Sequence, residues 1–155
     1  MDFCDLIETM TQAIVRGDGD GAAACFADGG IYHDVFYGAF PKAEIPRMVS
    51  DYFHRDAERF RWDIHDPVGN ADVGYARYVF SYDAKIAGSE GKRAVFEGVA
   101  VCRLKEGLIT SYTEVANTST GLQLLGFSTE RLARIVGRQV NELTARDEVA
   151  KHLGP

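Results

Sequence analysis

The sequence predicts an α+β domain: helices and one short strand come first, a long antiparallel meander forms the bulk, and a last helix follows. Three observations carry that expectation. Phe3, Leu6, Ile7, Met10 and Ile14 recur at helical spacing, with Asp5, Glu8 and Gln12 between them. From Phe60 to Asn117 apolar residues alternate with period two, interrupted only by the turn clusters GNAD, AGSEGK and KEG. After Ser128 the helical period returns through Leu132, Ile135, Val136, Val140 and Leu143.

Composition narrows the class. A chain of 155 residues, 46% of them hydrophobic, suits one domain, residues 1–155, that buries a core without staples. A net charge of −6, with Lys and Arg scattered, argues against nucleic acid or an anionic membrane as partner. Cys4, Cys25 and Cys102 are odd in number and far apart, so neither a disulfide framework nor a zinc site is indicated. The first residues are acidic where a signal peptide is basic, and no apolar run approaches the ~20 residues of a membrane span. A cytoplasmic protein is expected.

The elements follow in order. The first helix stops at Gly17. GDGDG lacks the Lys-Ser/Thr pair of a phosphate loop, so Asp20 is read as the N-cap of a short helix, Gly21 to Ala27, that plants Phe26 in the core. Ile31 to Phe36 is a strand with Tyr32 and Asp34 on one face and His33 on the other, followed by an irregular turn through Pro41. Ile45, Met48, Val49, Tyr52 and Phe53 mark a second long helix, with Pro46 in its first turn. The meander comprises Phe60 to Val68, Asp72 to Lys85, Arg93 to Leu104 and Leu108 to Asn117, antiparallel because the connections are short. Ser128 caps the last helix, with Phe127 and Leu132 placed as a hydrophobic staple.

The order of these elements, the motif FADGGIYHDVFYG, and the ending GLITSYTEVANTSTGLQLLGF resemble the nuclear transport factor 2-like superfamily. Within it, the SnoaL-like branch, named for a polyketide cyclase, is most similar. The resemblance spans about Asp2 to Phe127 and makes residues 128–155 a C-terminal helical extension. It implies a cone-shaped, curved antiparallel sheet wrapped around helices, with a cavity inside. Asp34 falls at the position of the general base of ketosteroid isomerases. That family's oxyanion-hole tyrosine and protonated aspartate fall at Met10 and Ala100, so its enolate stabilisation is not implied here. Glu114 falls at the last-strand acid of SnoaL-type cyclases and limonene epoxide hydrolases. Tyr32 and Asp34 fall where the hydrolases hold water, and Arg77 matches their pocket arginine, but the acid expected next is Val79.

The resemblance therefore places Tyr32, Asp34, Arg77 and Glu114 as a catalytic set, with Tyr32, Asp34 and Glu114 looking inward from facing walls of one hollow. Two carboxylates in an apolar cavity raise each other's pKa, as desolvation does, which suits acid/base work near neutral pH. An ion pair of Arg77 with either acid is the competing structural reading. Trp62, Tyr75, Phe96 and Tyr112 are candidate ligand-binding residues, although aromatics at strand spacing also serve as plain core. His65 is a candidate with either strand parity. The expected function is cofactor-independent acid/base catalysis, of cyclase, isomerase or hydrolase type, on a small apolar carbonyl compound. The alternative is a non-catalytic module for ligand binding or dimerisation. No metal or cofactor is expected. Val99 and Val101 need cover on the outer sheet face, so a homodimer through that face is expected.

Overall fold

The computed structural model describes residues 1–154. Helix α1, Phe3–Arg16, begins where the Asp2 carboxylate accepts the Asp5 N–H at 3.0 Å. It ends at Gly17, whose φ of 77° lets the chain leave in the left-handed region. Its apolar stripe is buried: Leu6, Ile7, Met10, Ala13 and Ile14 are all 3% exposed or less. Gln12 Nε2 donates to the Trp62 carbonyl at 3.0 Å and ties this helix to the meander. The short helix α2 is Gly19–Ala24, capped by Asp18 rather than Asp20, since the Asp18 carboxylate reaches the Gly21 N–H at 2.8 Å.

Strand β1, Phe26–Asp34, starts earlier than the pattern suggested and takes Gly29-Gly30 into an irregularity of its pairing. It doubles back through a turn into β2, Gly38–Pro41, so the stretch expected as an irregular turn is a short edge strand. The second long helix is interrupted rather than continuous. A 3₁₀ turn, Lys42–Glu44, leads to α3, Ile45–Met48, a π turn, Val49–Phe53, and α4, His54–Asp56. The meander comprises β3, Ala57–Gly69; β4, Val73–Ala84; β5, Arg93–Lys105; and β6, Leu108–Asn117. Then come α5, Ser119–Leu124, and α6, Thr129–Thr144, whose Ser128 cap accepts the Arg131 N–H at 3.2 Å as expected.

The six strands form one curved, open sheet in the order β2-β1-β6-β5-β4-β3. Every pairing is antiparallel except β1 with β6, which is parallel, so the sheet is mixed rather than wholly antiparallel. The helices separating β1 from β6 in sequence, with the whole meander, supply the long connection that a parallel pair requires.

Two clusters of buried side chains result. The larger joins α1, α2 and α3 to the sheet through residues such as Ile7, Met10, Phe26, Tyr32, Trp62 and Tyr112. The smaller gathers Ala84, Ala94, Phe96, Leu122 and Leu125, with Phe127, Leu132 and Ile135 packed against it. Phe80 touches both. On the outer face Tyr75, Val95, Val99 and Val115 are 42, 40, 37 and 69% exposed. No helix is long and apolar enough, among the described residues, to cross a membrane.

Ile7, fully buried in the larger cluster, gives the fold's simplest test. Ile7→Ala is expected to lower the unfolding free energy by about 2–5 kcal/mol, whereas Val95→Thr on the outer face changes it by no more than ~0.5 kcal/mol. Urea denaturation of the three proteins measures both.

Candidate active site

A cavity of about 270 Å³ lies between the two clusters, walled by side chains from both. Its position follows from one register. β1 and β6 pair with Tyr32 opposite Tyr112, and the two rings stack with centroids 4.5 Å apart at 17°. Side chains alternate faces, so two residues further along the parallel pair Asp34 and Glu114 also face inward as neighbours. Both line the cavity. They stand side by side on adjacent strands rather than on facing walls. The far wall is aromatic: Phe60 and Trp62 on β3, and Phe80 and Tyr82 on β4.

The two carboxyl groups are held differently. Asp34 Oδ2 accepts the Phe36 N–H at 2.8 Å and the Tyr37 N–H at 2.9 Å, closing the turn into β2 and leaving Oδ1 uncommitted. Burial pushes this carboxyl above its usual range, against the pull of those two amides. Glu114 has no amide partner. Its Oε1 accepts the Tyr112 hydroxyl at 2.5 Å. Burial first, and the Asp34 charge second, push it up to about 8, with the Tyr112 and Tyr78 hydroxyls pulling the other way. Near neutrality Glu114 therefore retains its proton.

Three tyrosines surround this pair. Tyr32 and Tyr112 are driven well above the usual phenol range by burial, then by the Glu114 charge, so both remain donors. Tyr78 is shifted the same way by the same causes. It lies opposite Gly98, where an added Cβ would sit 2.7 Å from the Tyr78 hydroxyl and 2.9 Å from the Val115 carbonyl. Only a glycine lets that ring cross β5 towards β6. Cys102, opposite Tyr112, is pushed up to about 12 by burial and then by Glu114, which makes it an inert thiol.

Of the residues singled out in the sequence, Tyr32, Asp34, Glu114, Trp62 and Phe96 line the cavity, and Tyr112 supports Glu114 from behind. Arg77, Tyr75 and His65 do not reach it. Arg77 is exposed and pairs with Asp66 at 3.3 Å outside the sheet. His65 pairs opposite Arg77 and so shares its outer face, and Tyr75 follows Arg77 outward by the same alternation. Neither carboxylate has the arginine partner that the competing structural reading required. His54 is half-buried with Nε2 2.8 Å from the Ile14 carbonyl.

Sequence reasoning missed Tyr78, Tyr82 and Phe60, though parity marks the first two: they share a strand face with Phe80. It also missed the mouth. There the Tyr37 hydroxyl donates to Asp56 at 2.7 Å, and α5 and α6 contribute Leu122, Arg131 and Ile135. Among the described residues, the indole N–H of Trp62 is the one buried side-chain polar group without a hydrogen-bond partner. No three His, Cys, Asp or Glu side chains among them converge as a metal-binding group.

The family model described as "SnoaL-like domain" matches residues 7–112. Solved structures share the fold at low identity. One is a hypothetical protein with a ketosteroid isomerase-like fold from Catenulispora acidiphila, in complex with trimethylamine: TM-score 0.71, 16% identity, covering 81% of this chain and 95% of that one. A putative polyketide cyclase from Streptomyces antibioticus has a TM-score of 0.65 and 18% identity, over 80% and 98% of the two chains. An LEH-like epoxide hydrolase from M. tuberculosis has a TM-score of 0.63 and 16% identity, over 86% and 94%. No curated protein sequence matches.

Glu114 makes stability depend on pH with a definite sign. Its folded pKa of about 8 lies above the ordinary 4.5, so between these values the folded state binds the extra proton. Its contribution is complete below pH 4.5 and is lost as pH rises to 8, by up to roughly 5 kcal/mol. Glu114→Gln is expected to flatten that decline in denaturation curves collected across the interval. Asp34→Asn is expected to lower the Glu114 midpoint, read by carboxyl carbon NMR.

Proposed function

The chain belongs to the SnoaL-like domain family, and on that premise we propose that it is a cofactor-independent acid/base enzyme of the cyclase or isomerase kind, acting on a small, mostly apolar carbonyl compound. The observation that carries this reading is the pair of neighbouring buried carboxyl groups with unequal support, one held by two amides and one pushed up to about 8. Such a pair supplies a base and an acid together near neutral pH.

In this mechanism the substrate carbonyl oxygen lies against Glu114 and its neighbouring carbon against Asp34. Asp34 Oδ1 takes the proton from that carbon. The electron pair released forms the carbon–carbon double bond of an enol while the oxygen accepts the Glu114 proton. The Glu114 carboxylate so formed keeps the Tyr112 hydroxyl as donor, which favours the ionised product. Where the enol is conjugated with a further double bond, Asp34 returns its proton to the far carbon while Glu114 recovers its own from the oxygen, which gives isomerisation; attack of the enol carbon on a second carbonyl of the same molecule, with Asp34 protonating the new alkoxide and Glu114 recovering its proton, gives cyclisation. The aromatic wall of Phe60, Trp62, Phe80 and Tyr82 holds the apolar body and keeps water out. Hydrolysis is the weaker variant, because the arginine and following acid of the hydrolase relay are missing from the cavity.

A second reading rests on Asp34, whose Oδ2 is fully used in closing a turn. A binding module without turnover needs no more from it. The two readings separate in deuterated water with 2-tetralone as probe, following exchange of its α-protons by NMR. The enzyme reading predicts acceleration by the wild-type protein, a loss of about 10²- to 10⁴-fold in Asp34→Asn and about 10²-fold in Glu114→Gln. Folded variants that both exchange as fast as wild type exclude it.

In the same proposal residues 1–155 act as one domain with residues 128–155 as its C-terminal extension, of which Arg131 and Ile135 line the mouth, and two chains pair through the outer sheet face. The exposed row Tyr75, Val95, Val99 and Val115 supports that pairing. Sedimentation velocity at micromolar concentration is expected to show twice the chain mass, and Val99→Glu to shift it towards monomer. A monomeric wild type rules the pairing out.

A further inference from the structure

The mouth of the cavity carries a cation that the acid/base reading does not use. Arg131 is the single basic residue among the lining side chains, set against the acids Asp34, Asp56 and Glu114. Asp56 is already committed, to Arg55 at 2.7 Å and to the Tyr37 hydroxyl. No carboxylate among the described residues lies within ion-pair distance of Arg131. Its guanidinium rests 3.7 Å from the centroid of the Phe127 ring, itself part of the lining. Its backbone N–H is fixed by the Ser128 cap in the first turn of α6. A cation stacked on an aromatic wall keeps its N–H edge for a planar bidentate acceptor.

An apolar hollow with two carboxyl groups inside and an uncommitted guanidinium at its rim is complementary to a molecule with a carbonyl oxygen at one end and an anionic oxygen at the other.

We propose that Arg131 recognises a carboxylate on the substrate, so that the substrate class is a compact aromatic or alicyclic keto acid whose carbonyl end enters first and whose carboxylate remains at the mouth. This rests on the acid/base reading for the identity of the inner group, and on Arg131 for the outer one. The orientation follows from charge. The inner end already holds two carboxyl groups in an apolar, desolvated setting, where a further negative charge is strongly disfavoured. At the rim the guanidinium offsets a charge that the cavity acids and the net charge of −6 otherwise repel. A volume of about 270 Å³ admits one fused bicycle or its equivalent, near the small end of ligand cavities.

The test compares 2-tetralone with a tetralone bearing a carboxylate on its benzo ring, using dissociation constants from calorimetry on the intact chain. Wild type is expected to prefer the acid by about tenfold or more. Arg131→Gln brings the ratio to about one, Arg131→Lys recovers part of it, and Arg134→Gln, on the same helix but outside the cavity, keeps the wild-type ratio. A preference that survives Arg131→Gln, or a wild type that does not bind the acid in the millimolar range, overturns the assignment. The outcomes are separable from the mechanism. Loss of the preference in Arg131→Gln, with no proton exchange in any probe, keeps the carboxylate site and discards the acid/base reading. Exchange of 2-tetralone without a preference for the acid does the reverse.

Discussion

The parallel pairing of β1 with β6 is the constraint on which the rest of the site depends. It puts Tyr32 against Tyr112 and, one alternation further, Asp34 beside Glu114. An antiparallel pairing at the same point would carry the two strands in opposite directions from the tyrosine pair, and the acids would lie apart on opposite sides of it. The proton shared out between these carboxyl groups is therefore a property of topology before it is one of residue type. The bulged stretch of β1 between Phe26 and Ile31 is part of the same device, because both Phe26 and Tyr32 must reach the core from a strand that also curves.

Burying two acids costs stability, and the surrounding residues show how the cost is limited. Asp34 is offered two amide donors, which favour its charged form. Glu114 is offered phenols and keeps its proton near neutrality, so the cavity does not carry two full negative charges. The phenols are themselves pushed upward by burial, which prevents them from becoming further anions. Gly98 belongs to this arrangement: it surrenders a side chain in the middle of a strand so that the Tyr78 hydroxyl has room. The result is a site whose carboxyl pair occupies one corner of a largely aromatic hollow.

The architecture was legible because hydrophobic periodicity survives in a single sequence, and β6 in particular coincides with its predicted limits, Leu108–Asn117. Residues whose role depends on one strand alone were also legible: Tyr32 and Asp34 share a face by alternation, and so do Tyr112 and Glu114. What failed was relative parity between strands. Tyr75, a candidate pocket aromatic, sits on the opposite face of β4 from Phe80 and points outward. The register settles it, for Trp62, Phe80 and Phe96 are successive partners across three strands, and Tyr78 partners Gly98. Arg77 was assigned by family position, and its odd place in that alternation sends it out to Asp66. β2 was illegible because Gly38-Ala39-Phe40-Pro41 carries turn residues, and its pairing depends on β1 folding back over it.

The C-terminal helix shows why a residue can be essential to a site without any motif to announce it. Leu132 and Ile135 of α6 pack on the smaller cluster, while Val136, Val140 and Leu143 on the same helix stay about half exposed. The helix is thus held at its start by the Ser128 cap and the Phe127–Arg131 stack, and further along by the Gln139 bond to Thr118 at 2.9 Å. Those attachments surround the mouth of the cavity, and none is needed to complete the sheet. This segment adds little to the core yet holds a cation at the entrance, where the proposed carboxylate would lie. That is the physical reason to look for substrate selectivity in α6 and for chemistry in β1 and β6.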